Sequence, residues 1–151
     1  MQKITPFLWF NDNAEEAIQH YLTVFKNARI VSESRSPQGA LMSATFELEG
    51  QSLMALNGGP HYSLTPAFSL FVNCETQEEV DELWEKLIEG GGKPSRCGWL
   101  EDKYGVSWQI IPSVLGAYLQ DKDAGKANNV MQAMLRMDKL NIAALKEAYE
   151  Q

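Results

Sequence analysis

Along the first sixty-odd residues the hydrophobic pattern changes period several times. ITPFLWF, residues 4–10, is a short apolar run closed by Asn11-Asp12-Asn13, the pattern of a strand running into a helix cap. From Ala14 to Phe25 the apolar residues Ala17, Ile18, Tyr21, Val24 and Phe25 fall three and four apart, and Glu15 and Glu16 occupy the first turn, where the helix dipole favours them. The spacing predicts a helix with one buried face. Three strands are expected next, over 28–34, 41–48 and 52–57, the last two joined by Glu49-Gly50. Gly58-Gly59-Pro60-His61-Tyr62-Ser63 then has the composition of irregular backbone.

The same order recurs. AFSLFVNC, residues 67–74, predicts a strand, and Thr76 with Glu79 three residues on has capping-box spacing. Val80, Leu83, Trp84, Leu87 and Ile88 form one helical face, which Gly90-Gly91-Gly92 ends. Weaker strands are expected over 93–96 and 98–101 and a strong one over 106–111. Glu78-Glu79-Val80 repeats Glu15-Glu16-Ala17, and Trp84 repeats Tyr21, at one offset of 63 residues. Two matched halves imply a pseudo-twofold body. Beyond them Ala127, Val130, Met131, Met134 and Leu135 make one helical stripe and Ile142, Leu145, Ala148 and Tyr149 another, suited to covering a sheet or a partner subunit.

Composition narrows the setting. A chain of 151 residues with 44% hydrophobic content is one ordinary globular domain, or two half-size units sharing a core. Its formal charge of -7, without a run of Lys or Arg, argues against nucleic acid as a partner. The N-terminus has no basic region followed by a long apolar stretch, and no window approaches the roughly 18 apolar residues that span a bilayer. A cytoplasmic protein with no membrane partner is expected. Cys74 and Cys97 lack a CxxC or Cys/His neighbour and read as free thiols, which suits a reducing compartment.

Candidate chemistry is sparse. His20 lies on a helix, and His61 lies in a Gly-Pro loop as a general-base candidate for any substrate that reaches it. Asp102 is accounted for by the turn Asp102-Lys103-Tyr104-Gly105, and the paired glutamates by their helix N-termini. Cys97, after Arg96, reads as a small hydrophobe rather than a nucleophile. Trp108, Trp84, Tyr21 and Phe25 read as core, and Trp99 equally as a rim or a core aromatic. Alternation puts Ser107, Gln109 and Ile111 on one face of the last strand and Val106, Trp108 and Ile110 on the other; on the first strand it separates Thr5, Phe7 and Trp9 from Ile4, Leu8 and Phe10. Gly90-Gly91-Gly92 follows a helix and precedes a strand, the reverse of a nucleotide-binding glycine turn.

The stretches ITPFLWFNDNAEEAIQHYLTVF, LMALNGGP, ETQEEVDELWEKL and CGWLEDKYGVSWQIIP resemble the vicinal oxygen chelate superfamily, which includes glyoxalase I, extradiol dioxygenases and bleomycin-resistance proteins. Within it they look like the PhnB-like branch, often labelled 3-demethylubiquinone-9 3-methyltransferase-like. KANNVMQAMLRMDKLNIAALKEAY is similar to that branch too, which extends the resemblance over the tail. It implies an α+β fold in which two βαβββ modules form a curved mixed sheet, plus C-terminal helices. The implied layout is a single glyoxalase-like domain over 1–120, with module one at 1–58 and module two at 66–112, a helical extension over 121–151, and a homodimer.

In metal-using relatives the first and last strands of each module supply the ligands. Carried over by position, these fall near Thr5, near Ala55, near Ala67 or Ser69, and on Gln109. None is His, Asp or Glu, and such a set offers a divalent ion weak oxygens at best. No metal and no cofactor are therefore expected, and no catalytic residue is assigned. The resemblance implies a cavity lined by Thr5, Phe7, Trp9, Asn57, Ser69, Trp99, Gln109 and Ile111. Such a cavity suits a small aromatic or quinone-like molecule, with the Gln109 amide reading one of its oxygens. Two alternatives stay open. One is a superfamily enzyme, nominally methyltransferase-like or a metal-dependent lyase or dioxygenase with an unusual ligand set. The other is a cavity filled by its own side chains, with the tail serving assembly.

Overall fold

The computed structural model describes residues 2–151, which form two compact units that divide between Leu64 and Thr65. In the first, β1 (Phe7–Phe10) leads through α1 (Ala14–Val24) to β2 (Ala28–Arg35), β3 (Leu41–Leu48) and β4 (Gln51–Asn57). The sheet order is β1-β4-β3-β2, with β1 parallel to β4 and the other pairs antiparallel. The second unit repeats this plan. There β5 (Ser69–Cys74) leads through α2 (Gln77–Ile88) to β6 (Lys93–Pro94), β7 (Trp99–Glu101) and β8 (Ser107–Pro112), in the order β5-β8-β7-β6. Three further helices follow, α3 (Ser113–Leu119), α4 (Ala124–Met134) and α5 (Ile142–Glu150). The α+β class and the two βαβββ modules are as expected, and each module carries its own four-stranded sheet.

Both modules bury one sheet face under a helix. Leu8, Phe10, Phe46, Leu53 and Ala55 pack on the α1 side with Ala17, Ile18 and Tyr21; Leu100, Trp108 and Ile110 pack on the α2 side with Val80, Trp84 and Leu87. The repeated helix positions, Tyr21 and Trp84, are both core, as their spacing predicts. Ile4 departs from its expected place against the helix and is 84% exposed. Pro6 explains this: it has no N–H to give a ladder, so pairing begins at Phe7 and the chain before it leaves the sheet. β5 likewise starts later than its apolar run, because Phe68 N donates to Thr65 O and Ala67 N to Thr65 Oγ1, folding 65–68 into a turn.

The helix starts differ. At α2 the expected cap is present: Glu79 N donates to Thr76 Oγ1 at 3.1 Å, and Glu79 Oε1 accepts from Glu75 N. At α1 the Asn13 side chain makes no cap bond. Asn57, at the end of β4, takes that role: its Oδ1 accepts from Ala14 N at 2.9 Å while its Nδ2 donates to Leu41 O at 3.1 Å.

The tail does not stand apart from the second unit. Leu115, Val130, Leu140 and Leu145 form one buried cluster with Ile111 of β8, so the helices close over the sheet face that α2 leaves free. Cys97 N and Gly98 N donate to Met137 O and Asp138 O, both at 2.8 Å. Gly98 sits at φ +86, where a Cβ would meet Ile111 Cδ1 at 2.8 Å and Leu140 Cδ1 at 3.0 Å; only glycine lets tail and sheet approach so closely. From the other side Gln77 of α2 grips the tail, with Nε2 donating to Leu140 O and Oε1 accepting from Ile142 N. The first tail stripe is therefore divided. Val130 is buried and Met134 packs on the cluster, whereas Met131 and Leu135 stay exposed. No helix of the described residues is long and apolar enough to cross a membrane.

Candidate functional site

A half-open pocket of about 320 Å³ lies in the second unit, between the sheet face that α2 leaves free and the tail helices. Its floor is one row across three strands, because the register sets Phe71 of β5 opposite Gln109 of β8, and Gln109 opposite Trp99 of β7. Ile111 and Cys97 flank the row, and Leu115, Gly116, Leu119 and Met134 form the wall supplied by the tail. Gly116 is a mid-helix glycine whose added Cβ would meet nothing within 4 Å. Helix propensity alone would favour alanine there, so the open volume beside it is the feature a larger side chain would remove.

Gln109 is partly buried. Its Nε2 donates to Ser69 Oγ at 2.9 Å, and none of the described residues donates to its Oε1. The adjacent residue is fixed from behind. Trp108 Nε1 donates to Asp102 Oδ2 at 2.9 Å, and Asp102 Oδ1 accepts from Tyr104 N and Val106 N. Asp102 is only 3% exposed, so besides shaping its turn it anchors the β8 tryptophan, a role the turn motif alone did not reveal. A carboxylate preceding a tryptophan by six residues across a hairpin was the available signal.

The candidate residues divide between the two units. Ser69 touches the floor through Gln109, and Trp99, Gln109 and Ile111 come together at the cavity. Thr5, Phe7, Trp9 and Asn57 belong to the first unit. Phe7 is 53% exposed, Asn57 caps α1, and Trp9 Nε1 donates to Gly59 O while its ring packs edge-on against Tyr62 at 5.0 Å. Gly58 is the seat of that ring, since a Cβ there would lie 2.3 Å from Trp9 Cζ2. His61 is an exposed turn residue of the same unit. Cys74 is fully buried, and burial first, then Glu79 and Glu75, pushes its thiol up to about 12, so it stays protonated at neutral pH.

A sequence profile described as 3-demethylubiquinone-9 3-methyltransferase matches residues 2–111. The chain belongs to that family. Among solved structures, a putative 3-demethylubiquinone-9 3-methyltransferase, PhnB protein, from Bacillus cereus is 40% identical at a TM-score of 0.69, covering 74% of this chain and 100% of that one. A glyoxalase-related enzyme from Fulvimarina pelagi is 18% identical at TM-score 0.51, covering 76% of this chain and 91% of its own. The fosfomycin resistance protein FosX from Listeria monocytogenes, described as complexed with Mn(II) and sulfate, is 16% identical at TM-score 0.53, covering 72% and 89%. These last two show the shared fold. No curated protein matches the chain. The PhnB family match ends at residue 111, so α3, α4 and α5 lie beyond it and the resemblance expected for the tail falls outside the matched span.

The residues of this PhnB-family chain do not fit a superfamily metal. Ala55 is buried on the α1 side with no donor atom, and the residue opposite Phe7, where Gln109 stands opposite Phe71, is Met54. Ala67 lies in the turn before β5, and Ser69 Oγ is engaged by Gln109. A hydroxyl, an amide and a thioether do not make a site for a hard or borderline divalent ion. The described residues hold no cluster of three His, Cys, Asp or Glu side chains either. The glycine run offers no phosphate turn: Gly90 and Gly91 stop α2 at φ +82 and +135, and Gly92 packs against Ile88 and Glu101 backbone.

Proposed function

We propose that this PhnB-family chain is a small-molecule-binding protein that holds an aromatic or quinone-like ring in the second unit's cavity without a metal. One observation carries the reading: a 320 Å³ space floored by Phe71, Gln109 and Trp99 and walled by aliphatic tail residues. That size lies at the lower end for small-molecule sites, and an apolar lining with one convergent amide is how such sites fix a flat ligand. Ile111 and the Ser69-supported amide belong to the proposed site. The reading includes a cytoplasmic homodimer, for which the exposed Met131 and Leu135 offer an apolar surface; a monomer by light scattering at micromolar concentration overturns that part.

The test is a titration with a panel of quinones and aromatic antibiotics, read by tryptophan fluorescence and by protection of Cys97 from a thiol reagent. Binding should survive exhaustive chelation and disappear in Gly116→Leu, which fills the space beside α3. Ligands that bind Gly116→Leu and the native chain equally, or that bind only after zinc, nickel, manganese or iron(II) is added, overturn the reading.

A further inference from the structure

We infer that the pocket takes a flat ring carrying a positively charged arm, such as a protonated alkylamine, in preference to the same ring carrying an anion or a neutral polar group, and that Glu75 is the counter-charge. The inference rests on the binding reading above and narrows its ligand class.

The neutral polar lining does not choose a sign. Asn73 and Gln109 each carry an amide, which offers donor and acceptor alike and can turn either end to a ligand. The choice comes from the aromatic and charged groups. Phe71 and Trp99 stand on either side of Gln109 in one row, and the face of an aromatic ring attracts a cation and repels an anion. No lining residue is cationic, so a carboxylate or phosphate on the ligand would lose hydration without gaining a counter-charge. Glu75 adds a full negative charge at one end: its Oε2 accepts from the hydroxyl of Ser113, a lining residue, at 3.1 Å, and it forms no ion pair with the described residues. The chain's formal charge of -7 acts in the same direction.

The register places that charge beyond the ring rather than under it. Phe71 pairs with Gln109, Asn73 with Ile111 and Cys74 with Pro112, so the Asn73 row lies roughly 7 Å from the ring row, and Glu75 and Ser113 follow directly. A ring over Gln109 therefore needs a short arm to bring an ammonium toward Glu75, and at the open rim that ammonium keeps most of its hydration. Ser113 is also the first residue of α3, so Glu75 sets a negative charge at the helix end where an anionic arm would otherwise find free N–H groups. Arg96, beside Cys97, is exposed and faces Asp138 at 3.9 Å, and that pair adds no net charge.

The experiment is isothermal titration calorimetry of the full chain at neutral pH with 2-(1-naphthyl)ethylamine, 2-(1-naphthyl)ethanol and 1-naphthylacetate, which share one ring and an arm of similar length and differ in its charge. The native chain should bind the amine at least about fivefold tighter than the alcohol, and the alcohol tighter than the carboxylate. Glu75→Gln should bring the ratio of amine to alcohol toward one. Glu89→Gln removes the same charge about 18 Å away, past the other end of α2, and should leave the ratio as it is. Raising the salt from about 0.15 M to about 1 M shortens the screening length from about 8 Å to about 3 Å and should shrink the ratio in the native chain, which keeps the test intact if a variant fails to fold. Amine bound no tighter than alcohol or carboxylate, a ratio unchanged in Glu75→Gln or in high salt, or an equal fall in Glu89→Gln overturns the inference while the binding reading stands. Absence of binding by any probe, with Cys97 left unprotected, overturns both.

Discussion

The two modules share one strand order, one helix placement and even one exposed phenylalanine at the same point of the first strand, Phe7 and Phe71, yet their free sheet faces are built for different ends. Across the first module that row reads Phe7, Met54, Thr45; across the second it reads Phe71, Gln109, Trp99. The amides differ correspondingly. Asn57 has both ends satisfied, by Ala14 N and Leu41 O, and so acts as structure. Gln109 has one end satisfied and one open, in a cavity whose far wall is made by helices beyond the family match. An internal repeat therefore fixes topology without fixing role, because role depends on which polar atoms the fold leaves unpaired.

The hairpins that close each module give the largest expected contrast. In the first, Glu49 and Gly50, at φ +50 and +83, make a two-residue turn whose glutamate is exposed and accepts from Asn27 N. In the second, a buried Asp102 accepts from two turn amides and the Trp108 indole. Asp102→Ala should cost about 3 kcal/mol, since it strands a buried indole N–H and two amides, while Glu49→Ala should cost less than about 1 kcal/mol. Urea unfolding monitored by tryptophan fluorescence decides it, and comparable midpoint shifts would show that the turns are energetically alike after all.

Next in size is the contrast between the amides themselves. Asn57→Ala removes a helix cap and a carbonyl partner and should lower stability by about 1–2 kcal/mol without regard to ligand. Gln109→Leu loses only the part-buried bond to Ser69 and should lower stability by less than Asn57→Ala, by about 0.5–1 kcal/mol, and should instead weaken the binding of a ring that pairs with the amide. If Gln109→Leu proves the more destabilising, the amide is a structural group and the division between modules fails.

How far the sequence alone reaches follows from the kind of interaction each feature needs. Helix faces, the capping box at Thr76 and the Glu49-Gly50 turn are local patterns, and they stand in the structure where their spacing puts them. The face assignment of Gln109, Ile111 and Trp108 needs only a period of two, and it holds as well. What was illegible is non-local. Asn57 capping a helix that starts 43 residues earlier, Asp102 holding Trp108, and the tail closing over β8 each depend on side chains that meet only after the sheets form. Position-by-position transfer reaches only the neighbourhood of Ala55 on β4, where Ala55 is on the buried face and the adjacent Met54 on the free one, and in a strand one residue decides between the two.

Gly116 tests the tail's part in the comparison from the stabilising side. Gly116→Ala should raise stability by about 1 kcal/mol, because helix propensity improves and the new Cβ meets nothing within 4 Å. Thermal unfolding would show it. A loss of stability would mean that α3 is under a constraint other than the open space beside it.

The smallest effect expected is one of pH, and it separates the modules by what ties each helix down. In the second unit Asp81 is held below its ordinary 3.8, first by the Gln77 amide and then by Lys139 of the tail, at 2.9 Å. In the first, Glu15 of α1 is likewise held low by Arg35 of β2. A carboxyl lowered in the folded state contributes stability above its unfolded value, and that contribution is lost as pH falls through the folded one. Both links therefore weaken in acid, and both are exposed enough for salt to screen them. The consequences differ. Helix α1 keeps its neutral Asn57 cap and its buried Ala14, Ala17, Ile18 and Tyr21, whereas the 137–142 segment depends more on Gln77, whose own neighbour is the carboxyl being protonated. Amide NMR resonances of 137–142 should therefore move further than those of 14–24 as the solution is acidified below 3.8, and a larger movement in 14–24 would place the more labile joint in the first module.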